Sequence, residues 1–459
     1  VVEVALIRPG PIQGRSVNPY LRRRSGREEV TYLHPLLEPA LRQTLGVPLF
    51  QEQLMRIATD AAGLSGARAD QLRRAMGAKR SPERMEALKG DLMAGMEERG
   101  IDAPTRERIF EQLKGFADFG FPESHSFSFA HIVYASSWLK VHAPEHFYAA
   151  ILASQPMGFY SPATLVQDAR RHGVRVVGPS VNDSLVDASV QHVSEDEVGE
   201  SYSPGRPESL PSRGTVPLDV DSGLAVRIGL NQVRGLGAVA ERIVEARRQG
   251  AFTSQADLAR RAHVSASAME KLAMAGALEC LGAGRREGAW AAGALAQPQA
   301  RGGQWQPFLP GTEIGSRVPE LPSLSEVERM RSDVATTGLT PGEHPFSYVR
   351  GSLPSSALRA GDLGQDLAGR IVDVSGVVTH RQRPHTGGGI TFLSLEDETG
   401  FVNVSVSVGA WKKFRRVCLE SNALLVRGTL EWGDGAINVQ AFRITPVDLP
   451  INVRSRDFR

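Results

Sequence analysis

The sequence predicts a multi-domain α+β protein with a mostly helical first part, a second helical block and a small C-terminal β-barrel. The chain has 459 residues, which is too long for one ordinary hydrophobic core. Apolar residues recur every three or four positions over residues 46–153 and again over 224–290, which is typical of amphipathic helices. From Gly369 onward the apolar period changes to two, which is typical of strands.

The first helical region is divided by residues that end or begin helices. Such signals occur at residues 63–66, at Gly77, at Ser81-Pro82 and at Gly100, so we expect several medium-length helices in succession. Residues 165–178 predict a short helix with a basic end followed by a strand.

The chain begins with a run of β-branched and apolar residues. Residues 1–7 predict a strand that ends at the Arg-Pro-Gly-Pro sequence after it. The first residue is valine, whereas a natural start would normally be methionine. We therefore expect Val1 to be a truncation point, with part of the first domain missing.

Two segments have the composition of connectors. Residues 187–222 are acidic and rich in Ser, Pro and Gly, which favours a solvated loop over a functional acidic tail. Residues 282–322 are rich in Gly, Ala, Gln and Pro, which predicts a linker. The C-terminal region then predicts about five short strands, separated by glycine-containing turns at 387–389, 398–400 and 433–435.

Charge and cysteine content exclude few functions. The formal net charge of +2 is too small to indicate a nucleic-acid-binding protein by itself. A nearly balanced total charge can nevertheless hide separate basic faces. Cys280 and Cys418 are far apart and lack metal-ligand spacing, so we expect two buried thiols rather than a disulfide or zinc site. No membrane span or signal peptide is evident, and we expect a soluble, cytoplasmic protein.

The strongest local motif has the form of a helix-hairpin-helix. It consists of Arg234, Gly235, Leu236 and Gly237, followed by an amphipathic helix from Ala238. Two glycines let a backbone approach a phosphate closely, and the free amides at the next helix start attract it. The alternative is a helix connector without a ligand, and nearby arginines favour the DNA-binding interpretation.

The terminal barrel resembles an OB-fold, whose exposed face binds single strands through cations and stacked aromatic rings. The candidate contacts are Arg381, Arg383, Phe392, Trp411, Lys412, Lys413, Arg415 and Arg416. In the alternative interpretation, the two aromatic residues belong to the core and residues 412–416 form a solvated helix face.

The first domain contains a candidate nucleotide site. Arg73 and Arg74, followed by Lys79 and Arg80, place four cations within about two helical turns, which suits a triphosphate; an ordinary solvated face is the alternative. Arg22–Arg24 together with Arg27 could follow a DNA backbone or form a surface loop.

Ser124 and His125 precede a predicted helix. Adjacent residues in a turn rarely face each other as nucleophile and base. We therefore predict a helix-capping turn near a substrate.

No set of clustered carboxylates suitable for paired Mg²⁺ ions is recognisable. Residues 396–398 are expected on a barrel turn, and residues 195–200 in a loop. Both acidic groups are interpreted as solvated. We therefore expect no metal site and no catalytic residue in this chain, which should not polymerise DNA alone.

Longer motifs show a resemblance to one family. The following segments are similar to the fingers region of bacterial C-family polymerases, the DNA polymerase III alpha-subunit type: residues 7–12 (IRPGPI), 49–55 (LFQEQLM), 69–77 (ADQLRRAMG), 120–126 (GFPESHS) and 138–142 (WLKVH). Their order, the hairpin and the barrel extend the resemblance over nearly the whole chain. Residues 154–162, 167–173 and 395–400 resemble the error-prone, damage-tolerant branch most.

The resemblance implies addition of dNTPs to a primer 3′ end in translesion synthesis and induced mutagenesis, with Mg²⁺ held by ligands upstream of this chain. It assigns triphosphate binding to Arg73 and Arg74, and duplex phosphates to Gly235 and Gly237. The implied domains are 1–20, the truncated end of the palm; 21–180, the fingers; 181–223, a connector with an acidic insertion; 224–290, the helix-hairpin-helix domain; 291–345, a linker; 346–450, the OB-fold; and 451–459, a tail.

The implied partners are primer-template DNA and dNTPs, with a sliding clamp and mutagenesis accessory proteins as further candidates. Residues 304–309 are similar to a clamp-binding peptide, although a Gln/Pro-rich spacer is the favoured interpretation. No tau-binding domain is evident. A fragment of the replicative alpha subunit and a non-catalytic primer-template-binding module stay open as alternatives, and the coding sequence beyond both ends of the chain would separate them.

Overall fold

The computed structural model describes residues 1–6, 17–75, 86, 88–117, 121–158, 160–192, 217–221, 223–295, 319–384, 388–433, 436–451 and 455–458. They form two compact units, Val1–Ser137 and Trp138–Arg459. No helix in these described ranges is long and apolar enough to cross a membrane.

The first unit is helical, as predicted. Its helices are α1 Val2–Leu6, α2 Val17–Arg24, α3 Glu38–Leu41, α4 Gln51–Asp60, α5 Gly66–Ala75, α6 Lys89–Glu98, α7 Ala103–Ala117 and the start of α8 Glu123–His142. The predicted breaks at residues 63–66 and at Gly100 are confirmed, and both Gly63 and Gly100 have positive φ. The predicted breaks at Gly77 and Ser81-Pro82 lie outside the described residues.

A buried glutamine organises the start of α4. The Gln53 side-chain oxygen accepts hydrogen bonds from the amides of Leu49 and Phe50, at 2.8 and 3.0 Å. Its amide group donates to the carbonyl of Ala40 and the hydroxyl of Thr44. A buried side-chain amide is stable when its donors and acceptor are satisfied in this way, so Gln53 connects the helix start to the preceding turns.

The predicted strand at the N-terminus is wrong. Residues Val2–Leu6 form a helix whose Ala5 and Leu6 are buried in the core of the first unit. A strand needs a neighbour to satisfy its backbone, and within the described part of this unit the only β pairing is an isolated bridge between Phe50 and Phe121. A helix satisfies its own backbone while burying the same apolar side chains.

The second unit begins with helices packed on a small sheet. Helices α9 Pro144–Ala153 and α10 Pro162–Arg171 share a core with the strands β1 Val176–Val177, β2 Ser189–His192 and β3 Leu224–Arg227, in the sheet order β1-β3-β2. The predicted short helix and following strand are therefore confirmed. Ser161 caps α10 by accepting a hydrogen bond from the Thr164 amide.

The predicted second helical block is confirmed, and its helices extend further along the chain. The helices are α11 Ala238–Arg247, α12 Gln255–Ala262, α13 Ala266–Met274, α14 Arg285–Leu295 and α15 Glu326–Thr337. Part of α14 and all of α15 lie in the interval assigned to a linker. Arg285 and Asp333 form an ion pair of 2.5 Å between these two helices, and both side chains are almost fully buried.

The C-terminal region is the predicted β-barrel. Its strands are β4 Ala357–Leu358, β5 Ile371–Gln382, β6 Thr391–Asp397, β7 Gly400–Val406, β8 Ala423–Gly433, β9 Ala436–Val447 and β10 Arg456–Phe458. The path β5-β6-β7-β9-β8 is closed by pairing between β8 and β5. Helix α16 Ser347–Arg350 precedes the barrel, and α17 Val408–Glu420 connects β7 to β8. This is the OB-fold arrangement.

The acidic residues of the β6–β7 turn are not solvated as predicted. Glu396 and Asp397 are buried, and the turn is bound by arginines from outside the barrel. Arg171 of α10 approaches Glu396 to 3.0 Å, and Arg350 of α16 approaches Asp397 to 2.9 Å and Glu398 to 2.8 Å. The turn therefore joins the barrel to the helices before it.

The two cysteines differ in environment. The prediction of a buried thiol is confirmed for Cys418 and wrong for Cys280, which is exposed. Cys280 lies in a short 3-10 turn, Glu279–Leu281, none of whose residues is buried. Burial raises the pKa of the Cys418 thiol to about 11.

Candidate nucleic-acid interface

The hairpin has the backbone shape that its two glycines predict. Gly235 and Gly237 have φ angles of 78° and 50°, a region that side chains with a Cβ rarely adopt. Leu236 between them is only 2% exposed and packs in the core of the helical block. The buried leucine anchors the turn, so that both flanking glycines lie on the exposed side.

The hairpin presents unused backbone donors. Within the described part of the chain, the amides of Gly235, Gly237 and Ala238 donate no hydrogen bond. Helix α11 begins at Ala238, so its positive dipole end lies at the same place. Open amides at a helix start form a favourable environment for a phosphate.

Two side chains before the glycines serve a different purpose. Arg234 and Gln232 donate hydrogen bonds from their side chains to the carbonyls of Ala335 and Thr337, at 3.2 and 2.8 Å. These carbonyls end α15, where helix acceptors lack partners. Arg234 is nevertheless exposed, so it caps α15 and still presents part of its guanidinium to solvent.

The hairpin and the barrel line the same cavity. The cavity has a volume of about 730 Å³. Its lining includes Asn231 and Arg234 from the hairpin side, Thr379 and His380 from β5, and Gln167 from α10.

The basic residues of the barrel divide into exposed and buried ones. Lys412 and Lys413 are exposed on α17, and Arg383 lies over the ring of Trp411 at 5.8 Å. Trp411 itself is only 9% exposed. It therefore belongs to the core, while its three basic neighbours form an exposed edge. Phe392 is 40% exposed on β6.

Arg381 does not belong to the exposed basic edge. It is 8% exposed, and its guanidinium donates to the carbonyls of Cys418 and Ser421 at 2.6 and 2.8 Å and bonds the hydroxyl of Ser455. The predicted DNA contact at Arg381 therefore conflicts with its burial. Its geometry is that of a structural residue that connects β5 to the end of α17.

The predicted triphosphate cations are only partly described. Arg73 and Arg74 lie in the last turn of α5 and both bind Asp70, at 2.9 and 2.8 Å. The hydrogen bond from Arg73 is the main cause that lowers the pKa of the Asp70 carboxyl. Both arginines are exposed, so an anionic ligand could replace Asp70. Lys79 lies outside the described residues.

Ser124 and His125 lie inside the first turn of α8 rather than before it. Both are exposed, and the His125 ring contacts the rings of Phe121 and Phe129 at 5.3 and 4.7 Å. Ser126, one residue on, is buried and donates a hydrogen bond to the Val1 carbonyl. Among the described residues, no hydrogen bond, ion pair or ring contact joins Ser124 or His125 to Arg73 or Arg74.

Three family models match successive parts of the chain. The bacterial DNA polymerase III alpha subunit finger domain matches residues 1–100, a helix-hairpin-helix motif matches residues 173–288, and an OB-fold nucleic acid binding domain matches residues 369–447. The order is that of the resemblance described above.

The similar curated proteins share one printed name. Error-prone DNA polymerases of Mycobacterium tuberculosis, Nocardia farcinica and Corynebacterium glutamicum are 49%, 48% and 45% identical to this chain over its whole length. The chain belongs to the bacterial C-family DNA polymerases. It spans 38–40% of the length of these three relatives.

One of the similar solved structures is an asparaginyl-tRNA synthetase from Pyrococcus horikoshii. It is 19% identical, covers 20% of this chain and 22% of its own, and has a TM-score of 0.18. This likeness is too low to carry an argument.

The described part of this C-family chain does not fit a divalent metal. It contains no group of three or more His, Cys, Asp or Glu residues that could hold an ion. The most compact acidic segment, Glu396–Asp397–Glu398, is already neutralised by Arg171 and Arg350. Carboxylates that hold Mg²⁺ need free oxygen atoms, and these are engaged.

One residue beside the hairpin was missed by the sequence analysis. The Lys271 ammonium of α13 lies against Gly235 of the hairpin: a Cβ built on Gly235 would be 2.6 Å from the Lys271 nitrogen. Lysine in an amphipathic helix is an ordinary surface residue. No local pattern links it to a glycine turn so far away along the chain.

Proposed function

We propose that the complete protein is an error-prone DNA-directed DNA polymerase that adds dNTPs to a primer 3′ end during translesion synthesis and induced mutagenesis. The observation that carries this proposal is the alignment of the whole chain, at 49% identity, with proteins named error-prone DNA polymerase. As a bacterial polymerase it would act in the cytoplasm on chromosomal DNA.

Within this activity, the chain's second unit would bind primer-template DNA. The open amides of Gly235, Gly237 and Ala238 suit a duplex phosphate, and the exposed edge of Arg383, Lys412 and Lys413 suits the backbone of a single strand. Both contacts are independent of base sequence, as a polymerase requires.

Binding to a fluorescent primer-template duplex, measured by anisotropy between about 0.05 and about 0.3 M NaCl, tests this proposal. We expect affinity to fall steeply with salt. Gly237→Ala should weaken binding severalfold, because alanine at φ 50°, ψ −130° costs about 1–3 kcal/mol of strain and shifts the amides. Gly293→Ala is the matched control, since a Cβ there meets nothing within 4 Å. Salt-independent binding, or equal affinity of both variants, would contradict the proposal.

We also propose that Arg73 and Arg74 bind the incoming triphosphate, with Ser124 and His125 near the same substrate. In the complete polymerase, Arg73→Ala should raise the KM for dNTPs about tenfold or more, because a charge-assisted hydrogen bond contributes about 1.5–3 kcal/mol. Arg68→Ala is the control on the same helix: Arg68 is similarly exposed and pairs with Asp91. Equal KM values for both variants would exclude Arg73 from the site.

For Mg²⁺, we propose ligands in the part of the relatives that this chain does not span. Primer extension with Mg²⁺ separates the polymerase from a non-catalytic DNA-binding module. The complete protein should extend a primer, whereas residues 1–459 should bind it without extension. Extension by residues 1–459 alone would overturn the metal assignment, and no extension by the complete protein would favour the module. A sliding clamp and mutagenesis accessory proteins are proposed further partners; residues 304–309, the clamp-like segment, lie outside the described residues.

A further inference from the structure

A cation from another helix lies against the hairpin. Lys271 lies in the last turn of α13, and a Cβ on Gly235 would stand 2.6 Å from its nitrogen and 3.8 Å from its Cε. A Cβ at residue 235 would therefore require the end of the Lys271 side chain to move. The positive φ favours glycine at residue 235, and the Lys271 ammonium lies directly against it.

The position of Lys271 is set by the core. Met269 and Leu272, its near neighbours on α13, are both fully buried. Because these two side chains fix the rotation of the helix about its axis, Lys271 is directed to the hairpin. The side chain is half-buried, and among the described residues no carboxylate forms an ion pair with it. Lys271 thus brings an unneutralised positive charge to the turn.

A second glycine turn in the same helical block shows the opposite arrangement. Gly282-Ala283-Gly284 precedes α14 as Gly235-Leu236-Gly237 precedes α11. There the Gly284 amide donates to the Glu287 carboxylate at 2.8 Å. Arg285 is paired with Asp333, and Arg286 with Glu328. The Gly284 amide and both cations of the second turn therefore have partners within the chain.

The contrast identifies which turn is available to an external anion. At the first turn the glycine amides are open and the nearest cation is unpaired, whereas at the second turn the Glu287 carboxylate already accepts from the Gly284 amide. We propose that Lys271 is a further DNA-binding residue of the hairpin, donating from α13 to the phosphate that the amides of Gly237 and Ala238 bind. This inference rests on the proposed DNA binding. An ammonium acts as a point charge of this kind without selecting a base.

The test is the salt dependence of binding to the same primer-template duplex. Each phosphate contact contributes about 0.9 to the slope of log K against log salt concentration. Lys271→Gln should lower the slope by about that amount and weaken binding about eightfold at about 0.1 M salt. Lys271→Arg should keep most of the slope. Arg260→Gln is the matched control, because Arg260 is an exposed cation of the same helical block, 58% exposed and paired with Asp257.

The outcomes separate the two proposals. If the unmodified chain binds DNA with a steep salt slope and Lys271→Gln lowers the slope while Arg260→Gln does not, the inference holds. If the unmodified chain binds in this way but both variants behave alike, Lys271 is not a phosphate ligand and only this inference fails. If the unmodified chain shows no salt-dependent binding, the proposed DNA binding fails as well. Equal unfolding temperatures of the variants exclude loss of the fold as the cause.

Discussion

Glu396 should make the stability of the barrel depend on pH near neutrality. Its carboxylate is 4% exposed, lies 3.0 Å from the Arg171 guanidinium and accepts a hydrogen bond from Thr164. Burial raises its pKa from an ordinary 4.5 to about 7, although Arg171 and Thr164 act to lower it, and nearby Asp168 adds to the rise. Removing water from a carboxylate thus outweighs one ion pair.

The direction and magnitude of this pH dependence follow from the linkage between proton binding and folding. A folded-state pKa above the unfolded value means that the folded chain binds the proton more tightly. The contribution is therefore complete below about pH 4.5 and is lost as the pH rises through about 7. At about 1.4 kcal/mol for each pKa unit, the difference between 4.5 and about 7 amounts to about 3 kcal/mol.

Glu396→Gln removes the titration and keeps the shape of the protonated side chain. We expect the free energy of unfolding of the variant, relative to the unmodified chain, to rise by about 3 kcal/mol between about pH 4.5 and about pH 8. Urea titrations at several pH values measure this difference in the free energy of unfolding. Only its change with pH tests the prediction, so a constant difference between the two proteins does not matter. Glu420→Gln is the control, since that carboxylate is 63% exposed. A difference that does not change with pH would refute the reasoning.

Further outcomes are expected elsewhere in the second unit. Asp333→Ala should cost about 3 kcal/mol in urea titrations, because it removes the buried partner of Arg285 and leaves only Glu279, which is 52% exposed; adding Arg285→Met should recover most of the loss. Burial lowers the pKa of His344 to about 3, so its stability contribution is lost as the pH falls from about 6.5 towards 3; His344→Asn should shift the acid unfolding midpoint downward. Native Cys280 should react with a thiol reagent at neutral pH, whereas Cys418 should react only after unfolding.

The elements with a strong apolar period were predictable, and those fixed by distant partners were not. Helix α10 and the barrel strands follow directly from spacing in the sequence. Residues 1–6 have the composition of a strand, yet form a helix because no strand is present beside them in the described part of that unit. Helix α15 lies in the interval 291–345, which was predicted to be a linker, and its place depends on Arg285 and Asp333, which only the fold brings together.

The error at Arg381 has a local structural cause. In β5 the residues that pack in the barrel core, Val372, Val374 and Val378, have even numbers, so alternation predicts that Arg381 faces outward. The register shifts between Val378 and His380, where the strand is irregular. One extra residue exchanges the two faces of the strand. Arg381 therefore faces inward, and sequence periodicity alone gives no sign of the shift.

The two glycine turns show why a motif does not determine its own ligand. Both have the pattern Gly-X-Gly before a helix, but the third residue after the second glycine is Ala240 in the first turn and Glu287 in the second. A carboxylate at that position can accept a hydrogen bond from the turn amide, as in a capping box. Glu287 accepts one from the Gly284 amide. Alanine cannot, so the first turn stays open. The first turn of α11 does contain a carboxylate, Glu241, but it stands one residue further on. A carboxylate at the third position after the second glycine therefore discriminates better than the glycines between a turn that can bind phosphate and one satisfied within the chain.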